Sequence, residues 1–269
     1  MRKPNAPAWL TEHPIAHRGL HDAEGGTIEN TIAAAEAAIG AGFAIECDVQ
    51  MSRDGEAFVF HDETLDRLTD MGGALIEKSP AEIKRARIRG AGDTPRGRIA
   101  TRLRIPTFCE FLKAVAGRAP VICELKSRFD RDWRVADRVA PVAASYEGPL
   151  AFKSFDPDLI AYLRLRYPAL GGRDAPRPIG IVGEASYDRP GWDMLSAEQK
   201  RDWTDFDHFD RLRPDFLSWN VDDLPHKVPF LVKELLSAPV MAWTVRSARQ
   251  RDAARKWADQ IVFEDGGRP

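Results

Sequence analysis

Four short segments of this chain put ionisable side chains at spacings that chemistry uses. AIECDV carries Glu46-Cys47-Asp48, and if the run is a strand, alternation sends both carboxylates to one face. VICELK ends in Glu124-Leu125-Lys126, again with two charged groups two residues apart. The runs IAH and AFVFH end in His17-Arg18-Gly19 and His61-Asp62. Glu46, Asp48 and Glu124 supply hard oxygens, the donors that Mg²⁺ or Ca²⁺ prefers, and no Cys or His pair has zinc spacing. The competing reading is a structural ion network in which Glu46 and Glu124 pair with Arg18 and Lys126. Two imidazoles, His17 and His61, suit proton movement near neutral pH, one taking a proton and the other giving one. Arg18 and Lys126 are then placed to neutralise an anion, most naturally a phosphate. A metal, two cations and two acid/base groups form a set suited to phosphoryl transfer.

The elements that must position these groups alternate along the chain. Apolar periodicity predicts helices over Glu29–Ala41, Ser79–Arg87, Thr107–Ala116, Asp132–Ala144, Asp156–Tyr167, Ser196–Thr204, Pro225–Leu236 and Ser247–Ala258. Ser79-Pro80 and Asp156-Pro157 place a cap residue before proline at a helix start. Strands are predicted at Ile15–His17, Ala44–Val49, Ala57–His61, Pro120–Leu125, Leu150–Lys153, Pro178–Val182, Asp215–Ser218, Val240–Thr244 and Gln260–Phe263. Repeated strand–helix alternation predicts an α/β fold, a parallel sheet closed into a (β/α)8 TIM barrel, with the site at the C-terminal ends of the strands. Nine candidate strands compete for eight places. Too few residues separate Val49 from Ala57 for a helical crossover, so that segment is expected to turn at Asp54-Gly55 and return extended along the outside. The chain is read as a single domain, 1–269, with residues 62–105 as a short insertion over the barrel rim after the third strand.

Composition narrows the class further. Of 269 residues, 43% are hydrophobic and 30% charged, ordinary values for a globular protein. A net charge of −2 excludes nucleic-acid binding through overall charge. Cys47, Cys109 and Cys123 are an odd count without metal-ligand spacing. The N-terminal segment MRKPNAPAWLTEH lacks the apolar run of a secretory signal, and nowhere is there an apolar stretch long enough for a membrane span. Reduced thiols and no export signal predict a cytoplasmic protein.

The motifs resemble those of the glycerophosphodiester phosphodiesterase family. IAHRGLHD, GTIENTIAAAEAAIGAGFAIECDVQMSRDGEAFVFHDETLDRLT, IPTFCEFL, ICELKS and LAFKSFDPDLIAYLRLRYP carry the likeness, with HRG, ENT, E-x-D, HD and E-x-K in the family's order. It runs from Ile15 to about Phe263. The resemblance implies a distorted (β/α)8 barrel and a divalent-metal-dependent hydrolase that releases glycerol 3-phosphate and an alcohol from a small-molecule glycerophosphodiester. It assigns His17 and His61 as acid/base residues and Glu46, Asp48 and Glu124 as ligands of Mg²⁺ or Ca²⁺. Arg18 and Lys126 fall at its phosphate contacts. Glu29 and Asn30 of ENT sit beside the site, Glu29 being the expected contact, and Trp243 matches a pocket aromatic, with barrel core as the lesser alternative. Lys153 departs from the family's Gln or Ser, Arg246 from its Asn, and Phe263-Glu264-Asp265-Gly266 from its late Thr-Asp-x-Pro. Those departures bear on the substrate pocket and leave the catalytic set intact. Arg85, Arg87, Arg89, Arg96, Arg98, Arg102 and Arg104 crowd the insertion, either as solvated surface or as a basic lid. Two rival functions remain: a phospholipase D-like lyase that stops at a cyclic phosphate, and a non-catalytic phosphodiester binder.

Overall fold

The alternation of apolar runs and amphipathic stretches resolves into nine strands. They are β1 (Ile15–Ala16), β2 (Ala44–Met51), β3 (Ala57–Val59), β4 (Val121–Leu125), β5 (Leu150–Ser154), β6 (Ile179–Gly183), β7 (Leu217–Asn220), β8 (Val240–Val245) and β9 (Gln260–Phe263). The structure is a computed structural model that describes residues 6–89, 103–168, 170 and 177–269. Strand order is β1-β9-β8-β7-β6-β5-β4-β2-β3, and β1 also pairs with β2, which closes eight strands as a (β/α)8 TIM barrel. The ninth strand is β3. It runs antiparallel to β2, with Val49 opposite Val59 and Met51 opposite Ala57.

The chain divides into two compact units, one of them Ala16–Lys126 with Arg134–Leu150. There β2 and β4 pair in parallel, Glu46 opposite Ile122 and Asp48 opposite Glu124. The β2–β3 connection turns where Asp54-Gly55 predicts. The Ser52 N–H donates to the Glu56 carbonyl at 2.9 Å, and Gly55 takes φ +84°, a conformation that suits glycine. Thr31 caps the helix Ile32–Gly40 through a bond from the Ala34 N–H, so this helix starts three residues later than Glu29. Glu29 and Asn30 are therefore free of a helical role. Thr107 and Ser79 cap Phe108–Val115 and Pro80–Arg85, each in a reciprocal box with the glutamate three residues on.

The segment after β3 builds its own core. Leu65, Leu75, Ile83, Ala86, Ile88 and Ile105 are buried with Ile28, Phe58 and Phe60. Bridges Thr64–Ala74 and Thr69–Ile88 tie its turns together. Arg85 and Arg87 are exposed and Arg89 and Arg104 half-buried, while Arg96, Arg98 and Arg102 lie outside the described residues.

The other unit comprises Met1–Ile15, Ser127–Trp133 and Ala151–Pro269. In it β5 to β9 pair in parallel, each with its neighbour. Helices Pro157–Arg166, Ala197–Asp205, Lys227–Leu236 and Ala248–Trp257 open on Asp156, Ser196, His226 and Ser247, whose side chains accept backbone N–H groups. Two four-residue helices, Trp9–Glu12 and Phe209–Leu212, are too short to show a period in sequence.

Leu65 tests the inserted core, because its side chain is fully buried there at 0% exposure. Leu65→Ala is expected to cost about 2–5 kcal/mol, read from the shift in a urea unfolding midpoint.

Candidate active site

β2 and β4 carry the centre of the site. Asp48 and Glu124 are register partners on adjacent strands, so their side chains share one face, and alternation adds Glu46 to it. Cys47 and Cys123 are also opposite each other, on the other face, and burial pushes both thiols up. Glu46, Asp48 and Glu124 are 0%, 1% and 5% exposed. One oxygen from each lies within 4.8 Å of the others. A hard divalent cation fits that donor set: three buried carboxylates from two rigid strands, with no soft ligand among them.

Cationic groups close around the acids. Lys126 Nζ lies 2.6 Å from Glu124 Oε1 and 3.0 Å from Asp48 Oδ1. Burial works against the ammonium, but these two carboxylates win and raise the Lys126 pKa. Arg18 leads its chain through a left-handed turn, φ +56° followed by +77° at Gly19. A Cβ on Gly19 would stand 2.8 Å from the Ala34 backbone and Cβ, so glycine is required by both conformation and space. The turn aims the Arg18 N–H at Glu46 Oε2, 3.1 Å away. The Arg18 side chain reaches Glu29 Oε1 at 2.7 Å through Nη1 and lies 3.5 Å from Asp48 Oδ2 through Nε. Despite burial, Asp48, Glu29 and Glu46 raise the Arg18 pKa. Asp48 in turn is held well below the carboxylate range: burial opposes ionisation, and Lys126, His61, Arg18 and His17 overcome it.

Asn30 is the residue that sequence reasoning ranked too low. It donates from Nδ2 to Asp48 Oδ2 at 2.8 Å and accepts the Asp48 N–H on Oδ1 at 3.1 Å. Glu29 meets the site as well, through Arg18 and through Arg67. Asn30 takes φ +57°, a conformation for which asparagine is favoured, but nothing in the local sequence announces it.

His17 is 8% exposed, its Nε2 3.8 Å from Glu46 Oε2. His61 is held in place by its backbone. Gln50 Nε2 donates to the carbonyls of Phe60, His61 and Asp62 at 3.0, 2.8 and 2.7 Å. The His61 ring meets Asp62 Oδ1 through Nδ1 at 2.9 Å. Burial works against the Asp62 carboxylate, yet hydrogen bonds from Arg67 and His61 bring its pKa down to about 2. An ionised Asp62 only accepts, so the His61 Nδ1 carries the proton and Nε2 is the atom left to exchange one.

Lys153 and Trp243 belong to the other unit. Lys153, in β5, is 2% exposed, and Trp243, in β8, is half-buried with its ring edge-on to Phe155 at 5.4 Å. That unit also holds an unforeseen acid. Glu184, directly after β6, accepts from Trp192 Nε1 at 2.5 Å and Asn220 Nδ2 at 3.2 Å, beside packed rings of Phe129, Phe155, Tyr187, Trp192 and Trp203.

Fold and residues together define a (β/α)8 protein with a buried acidic site flanked by cations and imidazoles. The model of the glycerophosphoryl diester phosphodiesterase family matches residues 17–265, and the chain belongs to that family. Among its relatives, a glycerophosphodiester phosphodiesterase of Bacillus altitudinis is 43% identical over 72 residues, 26% of this chain and 28% of that protein. Glycerophosphodiester phosphodiesterase 1 of Rattus norvegicus is 36% identical over 101 residues, 35% of this chain and 29% of its own. Each match thus spans under a third of the relative's length. Solved structures extend the likeness of fold to nearly the whole chain. An Oleispira antarctica phosphodiesterase in complex with sn-glycerol-3-phosphate has a TM-score of 0.72 at 22% identity, covering 96% of this chain and 94% of that one. The glycerophosphodiester phosphodiesterase of Thermotoga maritima has a TM-score of 0.65 at 21% identity, covering 94% of each.

The Asp62 carboxylate makes a pH-dependent contribution to stability. Its pKa is lowered from 3.8 to about 2 by folding, so the contribution is complete above about pH 4 and is lost as pH falls through about 2. Asp62→Asn is expected to lower stability at pH 7 by about 1 kcal/mol, because solvent screens the pair with the half-exposed Arg67, and its deficit against wild type should fade as pH falls through about 2. Urea unfolding of both proteins across that range checks the sign.

Proposed function

We propose that this protein hydrolyses glycerophosphodiesters to glycerol 3-phosphate and an alcohol. The observation that carries the reading is the buried triad of Glu46, Asp48 and Glu124 with Arg18 and Lys126 against it. Acids alone would repel a phosphodiester; acids that hold a cation, flanked by two fixed cations, attract one. Mg²⁺ or Ca²⁺ bound by Glu46, Asp48 and Glu124 would supply Lewis acidity toward the phosphate and the glycerol hydroxyl.

The chain's own residues do the rest. Arg18 and Lys126 bind the phosphate oxygens and neutralise charge that grows in the transition state. His17 and His61 divide the proton transfers, one removing the proton of the substrate's vicinal hydroxyl and the other protonating the departing alcohol. His61 exchanges through Nε2, since Nδ1 is committed to Asp62. Attack by the substrate's own hydroxyl gives a cyclic phosphate, which water then opens. That hydroxyl is already tethered to the phosphorus, and such attack gains an effective molarity of about 10⁵ M or more. The three free thiols support a cytoplasmic location. Among the described residues no helix is long and apolar enough to cross a membrane.

Glycerophosphocholine turnover with and without EDTA, with the phosphorus product identified by ³¹P NMR, tests the reading. The expected outcome is EDTA-sensitive release of glycerol 3-phosphate. Accumulated cyclic phosphate would mark a lyase, and binding without turnover a non-catalytic binder. His61→Ala is expected to lower kcat by roughly 10²–10⁴-fold with its fold intact by circular dichroism. A deoxyglycerol analogue lacking the vicinal hydroxyl should bind yet react slowly, while glycerol 1,2-cyclic phosphate should be hydrolysed. Equal rates for the analogue and the natural diester would assign the attack to water instead.

A further inference from the structure

Arg67 lies in the segment after β3, within the stretch ending HDETLDRLT but outside HRG, ENT, E-x-D, HD and E-x-K, and it bonds two carboxylates at once. Its Nε and Nη2 donate to Asp62 Oδ2 and Oδ1 at 2.5 and 2.8 Å. Its Nη1 and Nη2 donate to Glu29 Oε2 and Oε1 at 2.9 and 2.8 Å. Four bonds to four oxygens use the planar fork of a guanidinium, a geometry that lysine cannot copy. Each carboxylate is shared with a residue of the site. Asp62 Oδ1 also meets His61 Nδ1 at 2.9 Å, and Glu29 Oε1 also accepts from Arg18 Nη1 at 2.7 Å.

We propose that Arg67 is a positioning residue that sets both the proton carrier His61, through Asp62, and the phosphate ligand Arg18, through Glu29. The inference rests on the roles proposed above for His61 and Arg18. Its two arms act differently. On the first, Arg67 locks the Asp62 carboxylate in the orientation that receives the His61 Nδ1–H and so fixes which ring nitrogen is available. On the second, Arg67 occupies Glu29, a carboxylate that would otherwise compete with a substrate phosphate for Arg18.

The backbone around Arg67 is anchored separately from these contacts. Leu65 is buried in the inserted core, Leu68 packs against it, and the Arg89 N–H donates to the Leu68 carbonyl at 2.8 Å. The Arg67 side chain itself is 48% exposed. Pairs of that exposure contribute little to stability, so removing the guanidinium should spare the fold. A direct substrate contact is the weaker reading of Arg67, because its donors already face carboxylate oxygens.

The test uses the 269-residue chain with Arg67→Ala, Arg67→Lys and the double variant Arg67→Ala/Glu29→Gln. Three readouts are needed: the ¹⁵N signals of the His61 ring, calorimetric binding of glycerol 3-phosphate, and kcat with KM on glycerophosphocholine. Arg67→Ala should shift the His61 ring signals toward mixed tautomers and lower kcat about 10–100-fold, the range typical of lost outer-shell partners. It should also weaken glycerol 3-phosphate binding several-fold. Adding Glu29→Gln should recover that binding without recovering kcat, and Arg67→Lys should rescue only in part. Unchanged His61 signals and unchanged affinity in Arg67→Ala would overturn the proposal, as would losses that follow a fall in the folded fraction. Failure of the functional reading looks different: wild type would then neither bind glycerol 3-phosphate nor turn over the diester, while the His61 signals would still report whether Arg67 sets the ring.

Discussion

Three carboxylates withdrawn from water on two neighbouring strands are the constraint that organises this protein. Glu46, Asp48 and Glu124 are all but inaccessible, and an uncompensated buried carboxylate costs several kcal/mol. Three together, with oxygens within 4.8 Å, also repel one another. Compensation must therefore arrive from several directions. Lys126 comes from the end of β4, Arg18 from the turn after β1, and Asn30 from the segment ahead of the helix Ile32–Gly40. With Glu29 and Asp62 included, five acids face the three fixed cations Arg18, Lys126 and Arg67 in this network. Leaving the imidazoles aside, the formal remainder is −2, which one divalent cation would balance.

Local structure follows from that requirement. The left-handed pair Arg18-Gly19 delivers both a backbone N–H and a guanidinium to the acids, and the glycine is dictated by Ala34 lying where a Cβ would go. The small residues of Ile32–Gly40 let that helix approach so closely. β3 serves the site by leaving the ring: its antiparallel return brings His61 back past β2, where the Phe60 N–H bonds the Asp48 carbonyl at 3.0 Å and Gln50 holds the next carbonyls. The inserted core behind Phe58 and Phe60 then supports the loop that carries Arg67.

Much of this was legible in the chain. Each of the nine strands lies where an apolar run predicts it, and the helix starts follow the caps Ser79, Thr107, Asp156, Ser196 and Ser247. Glu46, Asp48, Glu124, Arg18 and Lys126 converge as strand alternation and the E-x-D and E-x-K spacings imply. What escaped, or in the case of Asn30 was placed beside the site but ranked below Glu29, depends on tertiary structure. Asn30 looks like a helix-opening residue until its positive φ turns the amide onto Asp48. Gln50 reads as one more alternating polar position, and Arg67 lies in an irregular stretch with no period to direct it. Glu184 acquires its partners from Trp192 and Asn220, residues far from any recognisable motif.

The proposed chemistry depends most directly on the acidic triad holding a divalent cation. Calorimetric titration of Mg²⁺, and separately Ca²⁺, into chelator-treated wild type and into Glu46→Gln measures it directly. One cation per chain is expected in wild type, with at least a tenfold loss of affinity in Glu46→Gln, a difference of about 1.4 kcal/mol or more. A wild type that binds neither ion, or a Glu46→Gln variant that binds as tightly, would contradict it and leave the triad a structural ion network with Arg18 and Lys126.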